Sequence, residues 1–388
     1  MSDASEICET PEKTASGANP EELLTNLTKA WQERADGIAG GPGAVVRTST
    51  LSLVIYSGGA RAAERAEAIM PDLTAAVACR VVHIVADDDR TAPLTATSHV
   101  HARTENGVRT IACEQVTLKG GVSALDSLQG AVAPLLSPDL PVVLWWRGDP
   151  PFEGSLFETL VQAADRVIFD SSYFVEPEDD LPWALTLLEH HVKLDVACTD
   201  VNWARLTPWR GLVAQFFDGS ANMSGLEHID RVTVEYADPL LTDDRAAVQA
   251  WLLTGWLGSR LRWGATARAP WGGTPTFSVR APHGEVCIAL KRQSSDGPPG
   301  LRAVELHAAG PQPMTCRVEL QASGECIRTV TLLEGRPPLE RIVGADAQSY
   351  EQLIADELAM PGHDAVYTDA LRFTVQLLPH APEACSPS

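Results

Sequence analysis

The chain has 388 residues, of which 45% are hydrophobic and 21% are charged, and its formal net charge at pH 7 is -21. This balance is typical of a folded globular protein, and the length favours two or three domains. Because nucleic acids and anionic membranes repel an acidic surface, neither is an expected partner.

The compartment follows from what the sequence lacks. No apolar run is long enough for a transmembrane helix, and the acidic start, Met1 to Glu6, lacks the basic flank and apolar core of a signal peptide. The 8 cysteines are scattered and form no C-x-x-C pair, which is typical of reduced thiols. We therefore expect a cytoplasmic protein.

The N-terminal half predicts an α/β domain over residues 19–220, after a disordered tail at 1–18. Asn19-Pro20 predicts a helix start. Strands are predicted at 51–57, 80–86, 99–103, 113–118, 141–146 and 166–170, with helices at 61–76, 124–136 and 155–164. The nearly continuous apolar runs at 51–56 and 142–146 favour a mostly parallel or mixed sheet, covered by helices on both faces. The strands between 99 and 118 are close enough in sequence to form an antiparallel section.

The C-terminal half predicts an α+β domain over residues 221–378, followed by a loose tail at 379–388. A helix is predicted at 243–262, and a second helix carries the apolar stripe from Tyr350 to Leu358. The segment near 364–377 is helical or extended. Strands are predicted at 277–280, 285–291, 303–307, 315–320 and 326–332. Gly, Pro and Ser residues separate these strands, which indicates an antiparallel sheet.

Two strand ends are candidate ligand sites. Ser57 is followed by Gly58-Gly59 and a helical pattern, although neither a G-x-G-x-x-G nor a Walker motif is present. Asp170 ends another strand and is followed by two serines. Turn and capping roles account for both segments more simply. They nevertheless leave open a sugar-phosphate or nucleotide-binding enzyme.

The remaining candidates for catalysis are weak. His99 and His101 share one face of a predicted strand and with His83 could suggest a metal, but no third ligand sits at a recognisable spacing. Exposed or hydrogen-bonded histidines are therefore expected. No G-x-S-x-G motif occurs, and neither Cys79 nor Cys198 has a neighbouring histidine in sequence. The sequence therefore predicts no catalytic residue, no metal site and no cofactor.

Two tryptophan-rich segments stand out. The first runs from Leu140 to Phe152 and includes Trp145-Trp146-Arg147, and the second runs from Asp200 to Asp218. In the second, Thr207-Pro208 predicts a helix start. Trp and Arg carry much of the binding energy at protein interfaces, but Trp is also mostly buried. Both interpretations, core and interface, stay open.

These two segments and the segment from Ala164 to Ser172 occur in the order seen in OpcA, the glucose-6-phosphate dehydrogenase assembly protein family, which the chain resembles. The resemblance is sharpest between residues 140 and 218. It implies a non-catalytic assembly factor that binds glucose-6-phosphate dehydrogenase, favours its active oligomer and activates it in the oxidative pentose phosphate pathway. In photosynthetic bacteria the family is also linked to thiol redox state through thioredoxin, which makes thioredoxin a candidate partner.

The resemblance and the interface chemistry of Trp and Arg together give a set of candidate partner-binding residues. They are Trp145, Trp146, Arg147, Asp149, Phe152, Asn202, Trp203, Arg205, Thr207, Trp209 and Arg210. Cys316 and Cys326 are candidate redox residues on neighbouring strands, with buried, unreactive thiols as the alternative. The rival functions are the enzyme with a site near Ser57 and Asp170, and a ligand-sensing module that signals to the dehydrogenase.

Overall fold

A computed structural model of the chain describes residues 15–16, 49–105, 108–126, 132–136, 139–150, 155–192, 196–238, 247–270, 275–294, 299–345, 348–359 and 362–379. The chain divides into two compact units. The first takes Met1–Asp170, His191–Thr199 and Ser349–His363, and the second takes Ser171–His190, Asp200–Gln348 and Asp364–Ser388. Both units therefore draw on segments that are distant in sequence.

Strands and helices alternate along the first part of the chain. They are β1 (Ala15–Ser16), β2 (Leu51–Ser57), α1 (Ala60–Ala76), β3 (Cys79–Ala86), β4 (Thr95–Glu105), β5 (Val108–Gly120), α2 (Val122–Asp126), β6 (Val142–Arg147), α3 (Ser155–Gln162), β7 (Arg166–Phe169), α4 (Pro177–Val192) and β8 (Ala197–Asp200). Short 3₁₀ turns occur at Ala133–Leu135 and Ser171–Tyr173.

These strands form one sheet in the order β1-β4-β5-β3-β2-β6-β7-β8. β5, β3, β2, β6 and β7 pair in parallel, whereas β4 pairs antiparallel with both β5 and β1. All residues of β6 are buried, as expected for a strand covered on both faces. The predicted mostly parallel or mixed sheet with an antiparallel section is therefore confirmed.

The second part of the chain begins with short helices and continues with a second sheet. Its elements are α5 (Val201–Arg205), α6 (Thr207–Gln215), α7 (Ser220–Met223), β9 (Ile229–Ala237), α8 (Val248–Arg260), β10 (Gly264–Ala265), β11 (Thr276–Ala281), β12 (Gly284–Arg292), β13 (Gly300–Ala308), β14 (Met314–Leu320), β15 (Cys326–Leu333), β16 (Leu339–Gly344), α9 (Tyr350–Ala359) and α10 (Ala365–Leu377). A 3₁₀ turn, Ser224–His228, precedes β9.

The second sheet has the order β10-β11-β12-β9-β13-β14-β15-β16. The predicted antiparallel α+β unit is confirmed, with one difference from a simple meander. β9 inserts between β12 and β13 and pairs in parallel with β12. β9, β16 and α4 were not among the predicted elements.

Helices α8 and α10 can approach each other closely because two glycines lie at their contact. A Cβ on Gly255 would lie 2.0 Å from Oγ1 of Thr374, and one on Gly258 would lie 2.1 Å from the Phe373 ring.

Charged residues pair across the strands of the second sheet. Arg317 on β14 forms ion pairs with carboxylates, at 3.1 Å to Glu235 on β9 and 2.8 Å to Glu319 on β14. Alternation of buried and charged residues along β13 and β14 follows from this arrangement.

Helix α9 belongs to the first unit although it lies near the end of the sequence. It packs against α1, and its Tyr350 ring lies 6.0 Å from that of Trp145. The segment 364–377, predicted as helical or extended, is helix α10.

Several predictions fall outside the described residues. They concern most of the tail at 1–18, the helix beginning at Asn19, the first residues of the 243–262 helix, part of the 124–136 helix and most of the tail at 379–388. The domain boundaries at 18, 220 and 378 stay predictions.

Candidate functional site

The first tryptophan-rich segment ends strand β6 and is buried. Trp145, Trp146 and Arg147 are 0%, 6% and 3% exposed. The Trp146 ring stacks on Tyr56 of the neighbouring strand β2 with centroids 3.8 Å apart, and its Nε1 donates to the carbonyl of Asp149 at 3.0 Å. The indole therefore fixes Asp149, two residues after the end of β6.

Arg147 joins that loop to helix α1. Its Nη1 donates to the carbonyl of Ala62 at 2.7 Å, and its guanidinium lies 4.8 Å from the centre of the Trp145 ring. The Gly58 amide donates to the Arg147 carbonyl at 2.9 Å, and a Cβ on Gly58 would lie 3.2 Å from Cα of Gly148. The ends of β2 and β6 thus approach each other closely at the point where doubly wound folds usually hold a ligand.

Ser57, at the end of β2, belongs to a hydrogen-bonded row that resembles a catalytic triad. Its Oγ lies 2.9 Å from Nε2 of His83, and Nδ1 of His83 lies 2.8 Å from Oε1 of Glu67. Both Ser57 and His83 are 0% exposed, so no substrate carbonyl reaches the hydroxyl in this conformation. His83 is hydrogen-bonded, as one of the two sequence interpretations predicts, and the row ties β2, β3 and α1 together.

The second tryptophan-rich segment is built on Asp200, which is 1% exposed. Its carboxylate caps helix α5 by accepting from the Asn202 amide at 2.9 Å. It also accepts from the amide and hydroxyl of Ser171, at 2.9 and 2.6 Å, and from the hydroxyl of Tyr367 at 3.0 Å. Asn202 extends the network, since its side-chain oxygen accepts from Gln249 at 2.8 Å. This carboxylate organises the segment.

Trp203 lies between a carboxylate and a guanidinium. Its Nε1 donates to Oδ2 of Asp364, the N-cap of α10, at 2.7 Å. The guanidinium of Arg210 stacks 3.4 Å from the centre of its ring and donates to Oγ1 of Thr207 at 2.9 Å. A buried indole of this kind positions Arg210 and is itself only 4% exposed.

An accessible surface lies above this network. We call it the arginine face and define it as Tyr173, Val175, Arg205, Thr207 and Arg210. Tyr173 and Val175 are 36% and 59% exposed, Thr207 is exposed, and the two arginines are half-buried. Nη1 of Arg205 donates to Oγ of Ser172 at 3.3 Å, which joins the two halves of the face. Sequence reasoning missed Tyr173 and Val175, although an aromatic residue directly after the Ser171-Ser172 turn was a usable signal.

The candidate partner-binding residues thus separate by exposure. Those that are buried are Trp145, Trp146, Arg147, Asn202, Trp203 and Trp209. Asp149 and Thr207 are exposed, Arg205 and Arg210 are half-buried, and Phe152 lies outside the described residues. The buried members support a surface and do not form one. Partner binding by this set stays a prediction.

The candidate redox cysteines lie on adjacent strands but do not face each other. Cys316 on β14 is opposite Thr331 of β15, whereas Cys326 begins β15 and is opposite Gly344 of β16. A disulfide needs Cα atoms within about 7 Å, and this register places several residues of strand between the two thiols. The thiols are free, and burial raises the pKa of Cys316 to about 12.

Of the helices that the structure describes, none is long and apolar enough to cross a membrane. Within the same part of the chain, no group of three His, Cys, Asp or Glu side chains is arranged to hold a metal ion.

Two family models match the chain. Residues 70–183 match the OpcA model described as the glucose-6-phosphate dehydrogenase subunit N-terminal domain, and residues 196–371 match the corresponding C-terminal domain. A Nostoc punctiforme protein whose name is OxPP cycle protein OpcA is 27% identical over 373 residues, which are 93% of this chain and 75% of that protein. A Synechocystis protein of the same name is 27% identical over 323 residues, covering 80% of this chain and 66% of its own length.

Among solved structures, a Parabacteroides merdae protein described as an oxidoreductase matches with a TM-score of 0.51 and 8% sequence identity. The match covers 86% of this chain and 98% of that chain. At this level of identity the likeness concerns the fold alone.

Proposed function

The chain belongs to the OpcA family of glucose-6-phosphate dehydrogenase assembly proteins, and from this membership we propose that it is a non-catalytic assembly factor and allosteric activator of that dehydrogenase. It acts in the oxidative pentose phosphate pathway, and its partner is the dehydrogenase of the same cell. Family membership carries the proposal.

Activation follows from differential affinity. A protein that binds the active oligomer more tightly than other states shifts the population toward that oligomer, by about tenfold for each 1.4 kcal/mol of difference. Such a factor needs no reacting group of its own. It needs a rigid surface that is complementary to one state of the enzyme.

We place that surface on the arginine face. Tyr and Arg are among the residue types that most often dominate binding energy at interfaces. Tyr173 is exposed, and half-buried Arg205 is hydrogen-bonded to the adjacent Ser172. The network of Asp200 and Trp203 beneath them limits side-chain motion, so less conformational entropy is lost on binding. Among the candidate partner-binding residues that the structure describes in the first unit, Asp149 is the exposed one and is available for contact.

The burial of both strand ends supports a non-catalytic function over the enzyme alternative. Near Ser57, the Arg147 guanidinium donates to the Ala62 carbonyl, and Gly58 closely approaches Gly148. Asp170 is 3% exposed, and the hydroxyl of the following Ser171 is bonded to Asp200 at 2.6 Å. In this conformation Ser57, Asp170 and Ser171 are buried, and the hydroxyl groups of both serines are already hydrogen-bonded.

Thiol control through thioredoxin is the finer part of the proposal, and the fold limits which cysteines can carry it. The thiolate is the reactive form, and burial raises the pKa of Cys198 to about 12, as it does for Cys316. Cys326 and Cys287 are half-buried and are better placed to react. A disulfide with Cys326 would therefore involve a partner other than Cys316.

The decisive experiment titrates the dehydrogenase of the same organism with the purified chain at limiting substrate. Mass measurement of the mixture runs in parallel, under reducing and oxidising conditions. Saturable activation together with a heavier complex would support the proposal, and a difference between the two conditions would implicate the cysteines. Without activation or complex in either condition the proposal fails, and turnover by the chain alone would favour the enzyme.

A further inference from the structure

A cavity of about 460 Å³ in the second unit is lined by two arginines and two histidines, although the protein as a whole is acidic. Its walls include His228, Arg260, Arg262, Trp263 and His283, and among the described lining residues Glu227 is the one carboxylate. It lies where helix α8 ends, beside the 3₁₀ turn before β9 and the turn between β11 and β12. We call it the cationic pocket.

Arg262 has a strained backbone. Its φ of 56° is in the left-handed region, and it is the only described residue other than glycine with a positive φ. It lies two residues after Arg260, the last residue of α8, in a Schellman arrangement in which the Trp263 amide donates to the Gly258 carbonyl at 2.9 Å. Glycine is the favoured residue at this position. An arginine here is therefore explained by its side chain and not by the turn.

The charge of Arg262 is also available. Arg260 forms an ion pair with Asp369 at 2.5 Å, and a cation in the last turn of a helix complements the helix dipole. That accounts for Arg260. Arg262 makes no hydrogen bond or ion pair with another residue in the described ranges and is exposed at the rim of the cavity.

The two histidines are held in place. Nε2 of His283 donates to the Ile229 carbonyl at 2.6 Å, and this bond does not involve the other ring nitrogen, Nδ1. The His228 ring lies 6.2 Å from the His283 ring and packs on Gly310, where a Cβ would come within 2.5 Å of Cδ2. Both imidazoles thus line the cavity in fixed positions. The Trp263 side chain adds an apolar wall and is 6% exposed.

We propose that the cationic pocket binds a small phosphate-bearing metabolite, with Arg262 as its main anion ligand. A guanidinium matches the geometry of phosphate oxygens and can donate two parallel hydrogen bonds. The His228 imidazole can supply one further donor, and the indole packs against the apolar part of the metabolite. This site is separate from the arginine face and does not depend on the proposed partner.

The test measures the melting temperature of the full chain against inorganic phosphate, with sodium chloride at matched ionic strength as the reference. Specific binding raises the melting temperature with saturation, because phosphate binds the folded state. The key variant is Arg262→Gly, which removes the cation and relieves the strained backbone. We expect it to be at least as stable as the parent without phosphate and to bind phosphate at least about tenfold more weakly.

Two further variants complete the design. Arg262→Asn also tolerates a left-handed conformation and should weaken phosphate binding equally. Arg336→Ala removes one exposed arginine far from the pocket in sequence and should respond like the parent. An identical phosphate response in the parent and in both Arg262 variants would overturn the proposal, as would the lack of any response in the parent.

Discussion

The hydroxyl of Tyr367, in helix α10, donates to the Asp200 carboxylate that caps helix α5, over a distance of 3.0 Å. The reverse contact also exists, because Trp203 in α5 donates to Asp364, the cap of α10, at 2.7 Å. Each helix thus supplies an aromatic donor to the carboxylate that begins the other. Residues more than 160 positions apart are fixed by this exchange, and the arginine face is built on it.

Removal of one donor from this pair should destabilise the chain. Tyr367→Phe keeps the ring but leaves a buried carboxylate with one bond fewer, which costs about 1–3 kcal/mol of unfolding free energy. Urea unfolding followed by fluorescence measures the change. Tyr173→Phe removes the hydroxyl of an exposed tyrosine and serves as the control. Equal stability of the two variants would contradict the role given to the Tyr367–Asp200 bond.

Variants of the arginine face should lose partner binding without loss of fold. For the double variant Tyr173→Ala and Arg205→Ala, we expect the Kd for the dehydrogenase to rise about tenfold or more, since each side chain is of a type that dominates interface energy. Activation titrations and thermal melts measure both effects. Arg336→Ala controls for the loss of one positive charge. Unchanged affinity in a folded double variant would move the contact surface elsewhere.

Acid should weaken the ion pairs of the second sheet. Arg317 first, and then Arg328, donate to Glu319 at 2.8 Å each and lower the pKa of its carboxyl group. Because that pKa is lower in the folded than in the unfolded chain, the pairs stabilise at pH values above the ordinary range near 4.3 and lose this effect as the pH falls below it.

Glu319→Gln tests this sign. At pH 7 the variant should be less stable than the parent by about 1 kcal/mol, and at acid pH the difference should shrink. Unfolding free energies across the pH range measure the effect, with exposed Glu334→Gln as a control that shows little difference at any pH. A gap between the variant and the parent that grows on acidification would be the opposite of the expected result.

Alkylation should distinguish the thiols. Cys198 and Cys316 are buried with pKa values near 12, so they should react with iodoacetamide only after unfolding. Half-buried Cys326 should react faster in the folded chain. Peptide mass spectrometry before and after denaturation reads out each site. Labelling of folded Cys316 as fast as Cys326 would show that β14 is open to solvent.

Most strands and helices could be predicted from local patterns in the sequence. The apolar runs of β2 and β6 predicted buried parallel strands, and Thr207-Pro208 predicted the start of α6. The position of β9 between β12 and β13 was not readable, because a strand's neighbours depend on contacts distant in sequence. Helix α4 was not predicted. It contains Pro177 and Pro182, and prolines weaken a helical sequence pattern even though both lie within the first two turns of this helix.

The candidate site was predicted only in part, for a similar reason. The sequence identified the Asp200 segment as unusual, but burial of Trp203 depends on Asp364 and Tyr367, which are 161 and 164 residues further along the chain. Composition alone does not separate a tryptophan that supports a surface from one that forms it. Tyr173 became a candidate only once its exposure and the bond from Arg205 to the adjacent Ser172 were known, and Val175 only once its exposure was known.

The return of helix α9 to the first unit has a consequence for biosynthesis. A ribosome releases the chain from the N-terminal end, and strands β2 to β7 emerge well before Tyr350–Ala359. Until that late helix arrives, the face of α1 that it covers, together with the Trp145 ring beneath Tyr350, remains without its cover. The first unit is therefore completed only after this helix has been synthesised, so its N-terminal segments alone do not form the whole unit.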